Sequence, residues 1–247
     1  MTTEPTPAVD VRRADSRPHT RLGWLDSHHS FSFGHHWDPT NTGHGLLLVS
    51  NDDRVAPASG FGMHPHRDME IVTWMLSGEI QHRDTAGNEG LIRRGTAQRM
   101  SAGTGLLHSE ENPSPDVEAH FVQMWVVPDT EKITPGYDQL DIGAALESGE
   151  QLVVASGMPR HRHERAISIR QEHAALHAAR LTPGAATVSP AAPMAHLFVA
   201  RGSVELEGAG MLGTGDAARI TGADGQRVTA GPDGTEVLIW EMHATLG

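Results

Sequence analysis

The chain of 247 residues has room for one large domain or for two of about 120 residues each. It contains no cysteine, which excludes disulfides, thiolate zinc sites, iron–sulfur clusters and cysteine nucleophiles, so any bound metal must be held by nitrogen and oxygen. Nineteen Lys and Arg against thirty-one Asp and Glu give a net charge of −12, which opposes attraction to nucleic-acid phosphate or to anionic membrane, while seventeen histidines, eleven of them up to His120, demand an explanation.

In chain order, residues 1–18 lack the basic start and apolar middle of a secretory signal and read as a disordered leader of a cytoplasmic protein. His28-His29 and His35-His36 flank Phe31, Phe33 and Trp37, an aromatic string suited to anchoring an arm onto the domain that follows. The apolar run 45–49 is strand-sized, far short of the roughly 18 residues of a membrane span. The segment Gly60-Phe61-Gly62-Met63-His64-Pro65-His66-Arg67-Asp68-Met69-Glu70 comes next. Residues two apart on a strand share a face, so His64 and His66 converge while Pro65 points away, and Glu70 shares their parity. Segments 70–76, 120–127 and 236–241 read as strands, with turns at Ser77-Gly78, Ala86-Gly87-Asn88 and Asp233-Gly234. Between the first two of these, residues 101–112 repeat the same-face device with His108 and Glu110. Two such pairs on adjoining strands supply four ligands, and imidazole with carboxylate suits a redox-capable first-row metal that keeps positions open for substrate or oxygen.

Past this point, Pro135, Gly136, Gly143 and Gly149 mark a boundary near 137–151. His161-Arg162-His163 also has same-face spacing, but its charged neighbours suggest a solvated loop. Residues 170–181 fit either a short helix, with His173 and His177 on a surface face, or an extended connector. Windows 75–100 and 198–220 share one layout of strand, glycine, strand, turn, strand and glycine, a repeat at about 120 residues that implies two copies of one β-domain. The predicted class is therefore all-β, sandwich or barrel.

The spacing of His64, His66 and Glu70, followed by Gly78, then Gly95 to Gly103 and His108 with Asn112, resembles the two metal-binding motifs of the cupin superfamily. The second motif departs from that pattern in the offset of His108 and in Ser101 at the usual proline place. Those departures, with the strings at 29–34, 51–55, 60–73, 98–103 and 108–110, are similar to the hallmarks of the pirin family, densely over about residues 20–140 and thinly beyond. The resemblance implies two cupin (jelly-roll type) barrels in one chain: a metal-binding domain over 19–140 and a metal-free domain over 141–247. It gives His64, His66, His108 and Glu110 as ligands of one divalent first-row metal, with Fe(II) foremost and Ni, Mn, Cu, Co or Zn as alternatives. Glu70, the ligand of the general cupin motif, becomes a candidate for supporting a ligand, and Glu111 replaces the usual aromatic or apolar residue. The implied activity is flavonol cleavage with O2, of the quercetin 2,3-dioxygenase type, on a small aromatic or enediol substrate, with Glu110 doubling as the catalytic base. The alternative is a non-catalytic, metal- or redox-responsive regulator that binds a protein partner; neither reading involves nucleic acid or membrane.

Overall fold

The computed structural model describes residues 7–246, and almost all of its regular structure is strand. Among the described residues no helix is long and apolar enough to cross a membrane. Residues 19–141 build two antiparallel sheets. The larger runs, in spatial order, Gly136–Asp141, Thr96–Ser101, Glu70–Ser77, Ala119–Val126, Leu47–Val55, Leu25–His29 and His19–Arg21. The smaller runs Gly60–His66, Leu106–Glu111, Glu79–Asp84 and Glu89–Arg93. After a single helical turn, Gly143–Leu146, the chain supplies eight strands of a nine-stranded sheet, whose ninth, Ala8–Arg12, comes from the start of the chain. Its two long strands, Ala192–Leu206 and Arg227–Met242, are paired through register shifts at Val199/Arg201 and Gly202/Val204. Such bulges bend a strand and let a single sheet curl on itself.

The expected duplication is visible in the backbone. Gly78 and Gly202 hold the same place in the two repeated windows, with φ of +69° and +75°. A Cβ at Gly78 would lie 2.5 Å from the Glu118 carbonyl oxygen, and one at Gly202 would lie 2.0 Å from that of Gly234, so both positions require glycine. Residues 174–181, left open between helix and connector, form the strand Ala174–Leu181.

The disordered leader expected over 1–18 is corrected. Residues 1–6 lie outside the described residues, but Ala8–Arg12 is a strand paired with 217–221 at the edge of the second domain's sheet. Val9 and Val11 alternate with polar residues and pack on that domain's apolar interior. Arg17 then carries the chain across: its guanidinium donates to the Gly215 and His28 carbonyls.

The central strands of the first domain are buried on both faces. From Glu70–Ser77 and Ala119–Val126, Val72, Trp74, Leu76, Val122, Met124 and Val126 join Leu176, Phe198, Leu238 and Trp240 in one apolar cluster between the domains. Trp74 donates its indole N–H to Glu236, and Trp240 donates to the Met124 sulfur. The opposite face of the same strands, bearing Thr73, Met75, Phe121, Gln123 and Trp125, lines the first barrel. Alternation thus becomes a continuous apolar run because both sides are covered. The second barrel is filled by a wholly apolar set that includes Leu197, Val199, Ile220, Val237 and Ile239.

Candidate metal centre

The smaller sheet of the first domain gathers the donors. Its register sets His108 opposite His64 on one side and opposite Asp84 on the other, Leu106 opposite His66, and Glu110 opposite His82. Directly paired residues share a face, so the imidazoles of His64, His66, His82 and His108 and the carboxylate of Glu110 all point into the barrel. The rings of His64, His66 and His108 form a triangle with centroid separations of 4.9, 4.4 and 5.0 Å. One ligand atom from each lies within 4.8 Å of the other two, and Glu110 forms a second, overlapping group of that size with His108 and His82.

Hydrogen bonding decides which nitrogen is free. His64 Nδ1–H donates to the Gly62 carbonyl at 2.7 Å, which leaves its Nε2 lone pair uncommitted. Behind His108, Asp84 Oδ2 accepts from His82 Nε2–H at 3.2 Å, and His82 Nδ1 stands 3.3 Å from His108 Nδ1. With His82 donating at Nε2, its Nδ1 accepts from His108 Nδ1–H, and the His108 Nε2 lone pair turns to the cluster. Asp84 is itself fixed. Burial pushes its carboxyl up, but hydrogen bonds from the side chain and backbone of Asn88 and from His82 outweigh that and hold it below its ordinary range. Carboxylate–imidazole partners of this kind orient metal-binding histidines.

Electrostatics keep His66 and His108 neutral. Burial, reinforced by neighbouring imidazoles, lowers His66 to about 4 and His108 to about 3. Lone pairs rather than protons therefore face the cavity at neutral pH, the form a metal requires. Glu110 is tied through one oxygen only: Oε2 accepts from Gln123 Nε2 at 2.7 Å. Its Oε1 and the Nε2 of His108 are buried and make no hydrogen bond within the protein. Buried polar atoms are seldom left without a partner, and these two fit the vacant ends of ligands to a cation.

Aromatic rings wall the site. Trp125 meets His66 edge to face at 4.8 Å, Phe33 meets Trp125 at 5.6 Å, and Phe61 lies 6.2 Å from His64. Tyr137 stacks on His82 at 4.6 Å, and burial pushes its phenol up. The 29–37 arm meets the first barrel as expected only through Phe33, on Trp125; Phe31 is instead buried against His196 and under Arg219 of the second domain, and Trp37 is 74% exposed and anchors nothing.

The structure brings His64, His66 and His108 together, sets Glu110 beside His108 and His82, and leaves Glu70 out. Glu70 occupies the interface face of its strand, where its Oε2 accepts from the Ser101 hydroxyl and the Arg170 backbone N–H. It supports the contact between domains, not a ligand. The surface reading of His177 is also corrected: it is buried on a strand, and its Nε2 meets Glu241 at 2.9 Å. His161 reaches Ser156, while His163 remains exposed. Sequence reasoning missed His82 and Gln123. For His82 a signal exists, since His82 and Asp84 repeat the imidazole–carboxylate spacing of His108 and Glu110, two residues apart.

Comparison with known proteins agrees with this geometry. Residues 10–126 match the Pirin family model, and residues 153–242 match the quercetinase C-terminal cupin domain. A protein of Mycobacterium tuberculosis provisionally named quercetin 2,3-dioxygenase is 55% identical over 242 residues, 98% of each chain. Quercetin 2,3-dioxygenase of Escherichia coli K12 is 45% identical over 147 residues, 60% of this chain and 63% of that protein. The crystal structure of the bacterial pirin YhhW from E. coli, in complex with nickel(II), superposes with a TM-score of 0.87 at 34% identity, covering 96% of this chain and all of the other. With its doubled cupin barrel, its His and Glu cluster and a relative at this identity along nearly its whole length, the chain belongs to the pirin family.

Proposed function

We propose that the protein is a metal-dependent dioxygenase that opens a flavonol with O2, using one divalent first-row metal, Fe(II) foremost, held by His64, His66, His108 and Glu110. The observation that carries this reading is that, within the overlapping donor groups around His108, two atoms, His108 Nε2 and Glu110 Oε1, are buried and unpartnered. The bound metal supplies Lewis acidity toward a substrate hydroxyl together with open positions for that oxygen and dioxygen. The protein supplies the rest. Gln123 pins Glu110 through Oε2, so that Oε1 is the atom that would hold the metal and, once detached from it, would receive the hydroxyl proton. Phe33, Phe61 and Trp125 offer flat apolar contact to an aromatic substrate, and they exclude water from the reacting groups. The names of the relatives, quercetin 2,3-dioxygenase, support this substrate class.

The test is to express the chain, measure bound metal, and follow flavonol absorbance and oxygen uptake together. Matched loss of both, abolished in His64→Ala and Glu110→Ala, is the expected result. Stoichiometric metal with no turnover of any flavonol overturns the dioxygenase and leaves the non-catalytic reading.

A further inference from the structure

We propose that His19, Asp26 and His28 form a second divalent-cation site, on the outer edge of the first domain's larger sheet. The strands His19–Arg21 and Leu25–His29 pair so that His19 stands opposite His28 and Arg21 opposite Asp26. Along Leu25–His29 burial alternates: Leu25, Ser27 and His29 turn inward, whereas Asp26 and His28 turn out. The three donors therefore lie on the face opposite the His64, His66 and His108 cluster, and share no residue with it.

The distances match a coordination shell. His19 Nε2 is 3.1 Å and His28 Nδ1 is 3.5 Å from the same oxygen, Asp26 Oδ1. Ligands bound to one ion at about 2.0–2.2 Å stand about 3.0–3.5 Å from each other in octahedral or tetrahedral geometry. The two imidazoles lie parallel, 4.1 Å apart at 8°, with one nitrogen of each turned to that oxygen. Arg21 grips the other oxygen, Oδ2, at 2.7 and 3.0 Å, which fixes the carboxylate and leaves Oδ1 to the histidines. Asp52, opposite His28 on the next strand, is engaged by His120 at 2.6 Å and is not one of the donors.

Two imidazoles with one carboxylate, partly open to water, suit Zn(II), Ni(II) or Cu(II) rather than Mg(II) or Ca(II), which prefer oxygen donors. An ion here ties the short strand His19–Arg21 to its neighbour. That is the segment by which the chain passes from the second domain's sheet to the first, and the His28 carbonyl is already held by Arg17.

The experiment uses the untagged, full-length chain. Zn(II) and Ni(II) are titrated calorimetrically, and metal per chain is counted after gel filtration. Two ions per chain are expected, with separable affinities. His28→Ala and Asp26→Asn each reduce the count to one and leave flavonol turnover unchanged, while His64→Ala removes the other ion. Circular dichroism of the metal-free variants shows that the fold is intact. An ion count that neither His28→Ala nor Asp26→Asn lowers, whether the native chain holds one ion or two, overturns the proposal. Because the two sites are removed by different substitutions, failure of one does not disguise failure of the other.

Discussion

At His108, what separates a ligand from a merely buried histidine is the partner on its far nitrogen. Asp84 and His82 hold that nitrogen as a donor, so His82→Ala is expected to weaken metal binding about 10–100-fold, read by competition with a chelator of known affinity. An unchanged affinity would mean that His108 needs no such support. Gln123 plays the corresponding part for Glu110. Gln123→Leu strands a buried carboxylate oxygen and is expected to cost the metal-free protein about 1–3 kcal/mol, by denaturant titration, with part of the loss restored on adding metal. Loss of the same size with metal saturating would show that Gln123 serves packing alone. The four proposed ligands are legible in the sequence because each pair lies two apart on a single strand, where parity alone fixes the face. Glu70 shows where that reasoning stops. Asp68, at φ +46°, turns the chain between His66 and Glu70. Parity does not carry across that turn, and Glu70 begins a different strand on the interface side. The role of His82 emerges only from the register of Glu79–Asp84 against Leu106–Glu111, which spacing along the chain does not contain.

Among the elements, the strand Ala8–Arg12 departs most from what the sequence suggests. It is short, it follows Pro5 and Pro7, and its two valines carry too little periodicity to announce a strand. Its partner lies at the far end of the chain, so the pairing is a property of the finished fold. Asp216 secures it, accepting from Arg13 at 2.6 Å, from the Ala14 backbone N–H at 2.8 Å and from that of Gly213 at 3.0 Å. Burial pushes the Asp216 carboxyl up, but these hydrogen bonds hold it below its ordinary range. A lowered carboxyl contributes stability above its unfolded pKa and loses it as pH falls through the folded one. Asp216→Ala is therefore expected to lower stability by about 1–3 kcal/mol near neutral pH and to matter less below about pH 4. Thermal unfolding at the two pH values checks this, and an equal loss at both would locate the effect in packing.

For the molecule as a whole, the largest apolar cluster lies between the barrels rather than inside either of them. Two domains joined by such a core are expected to unfold in one calorimetric transition. Trp74→Ala, which also takes the indole donor from Glu236, should cost about 3–5 kcal/mol; two resolved transitions in the native protein would contradict the coupling. His196 gives the same interface an acid limit. It is buried with Nε2 unpartnered, and burial, with His44, Arg219 and Arg17 nearby, lowers it well below its ordinary value. The folded histidine stays neutral while the unfolded one takes a proton below about pH 6.5. Stability therefore falls as pH drops, by at most about 1.4 kcal/mol per pH unit from this residue. His196→Leu is expected to flatten the dependence of the unfolding midpoint between pH 7 and 5, and an unaltered slope would assign the sensitivity elsewhere. The two-barrel plan could be read from the repeated glycine layout. The burial of both faces of the central strands could be read only as apolar runs, since nothing along the chain says which surface meets the other barrel.

The pairing of Ala8–Arg12 with 217–221 also orders events in time. Among the described strands it is the first to be synthesised, yet it has no partner until nearly all of the rest has followed. Contacts that join such distant parts of a chain are slow to form, because a loop of almost full length must close first. The first barrel can assemble while the chain is still being made, with this strand waiting outside it. Docking of the strand then becomes a late step, the one that closes the two barrels into a single ring of chain.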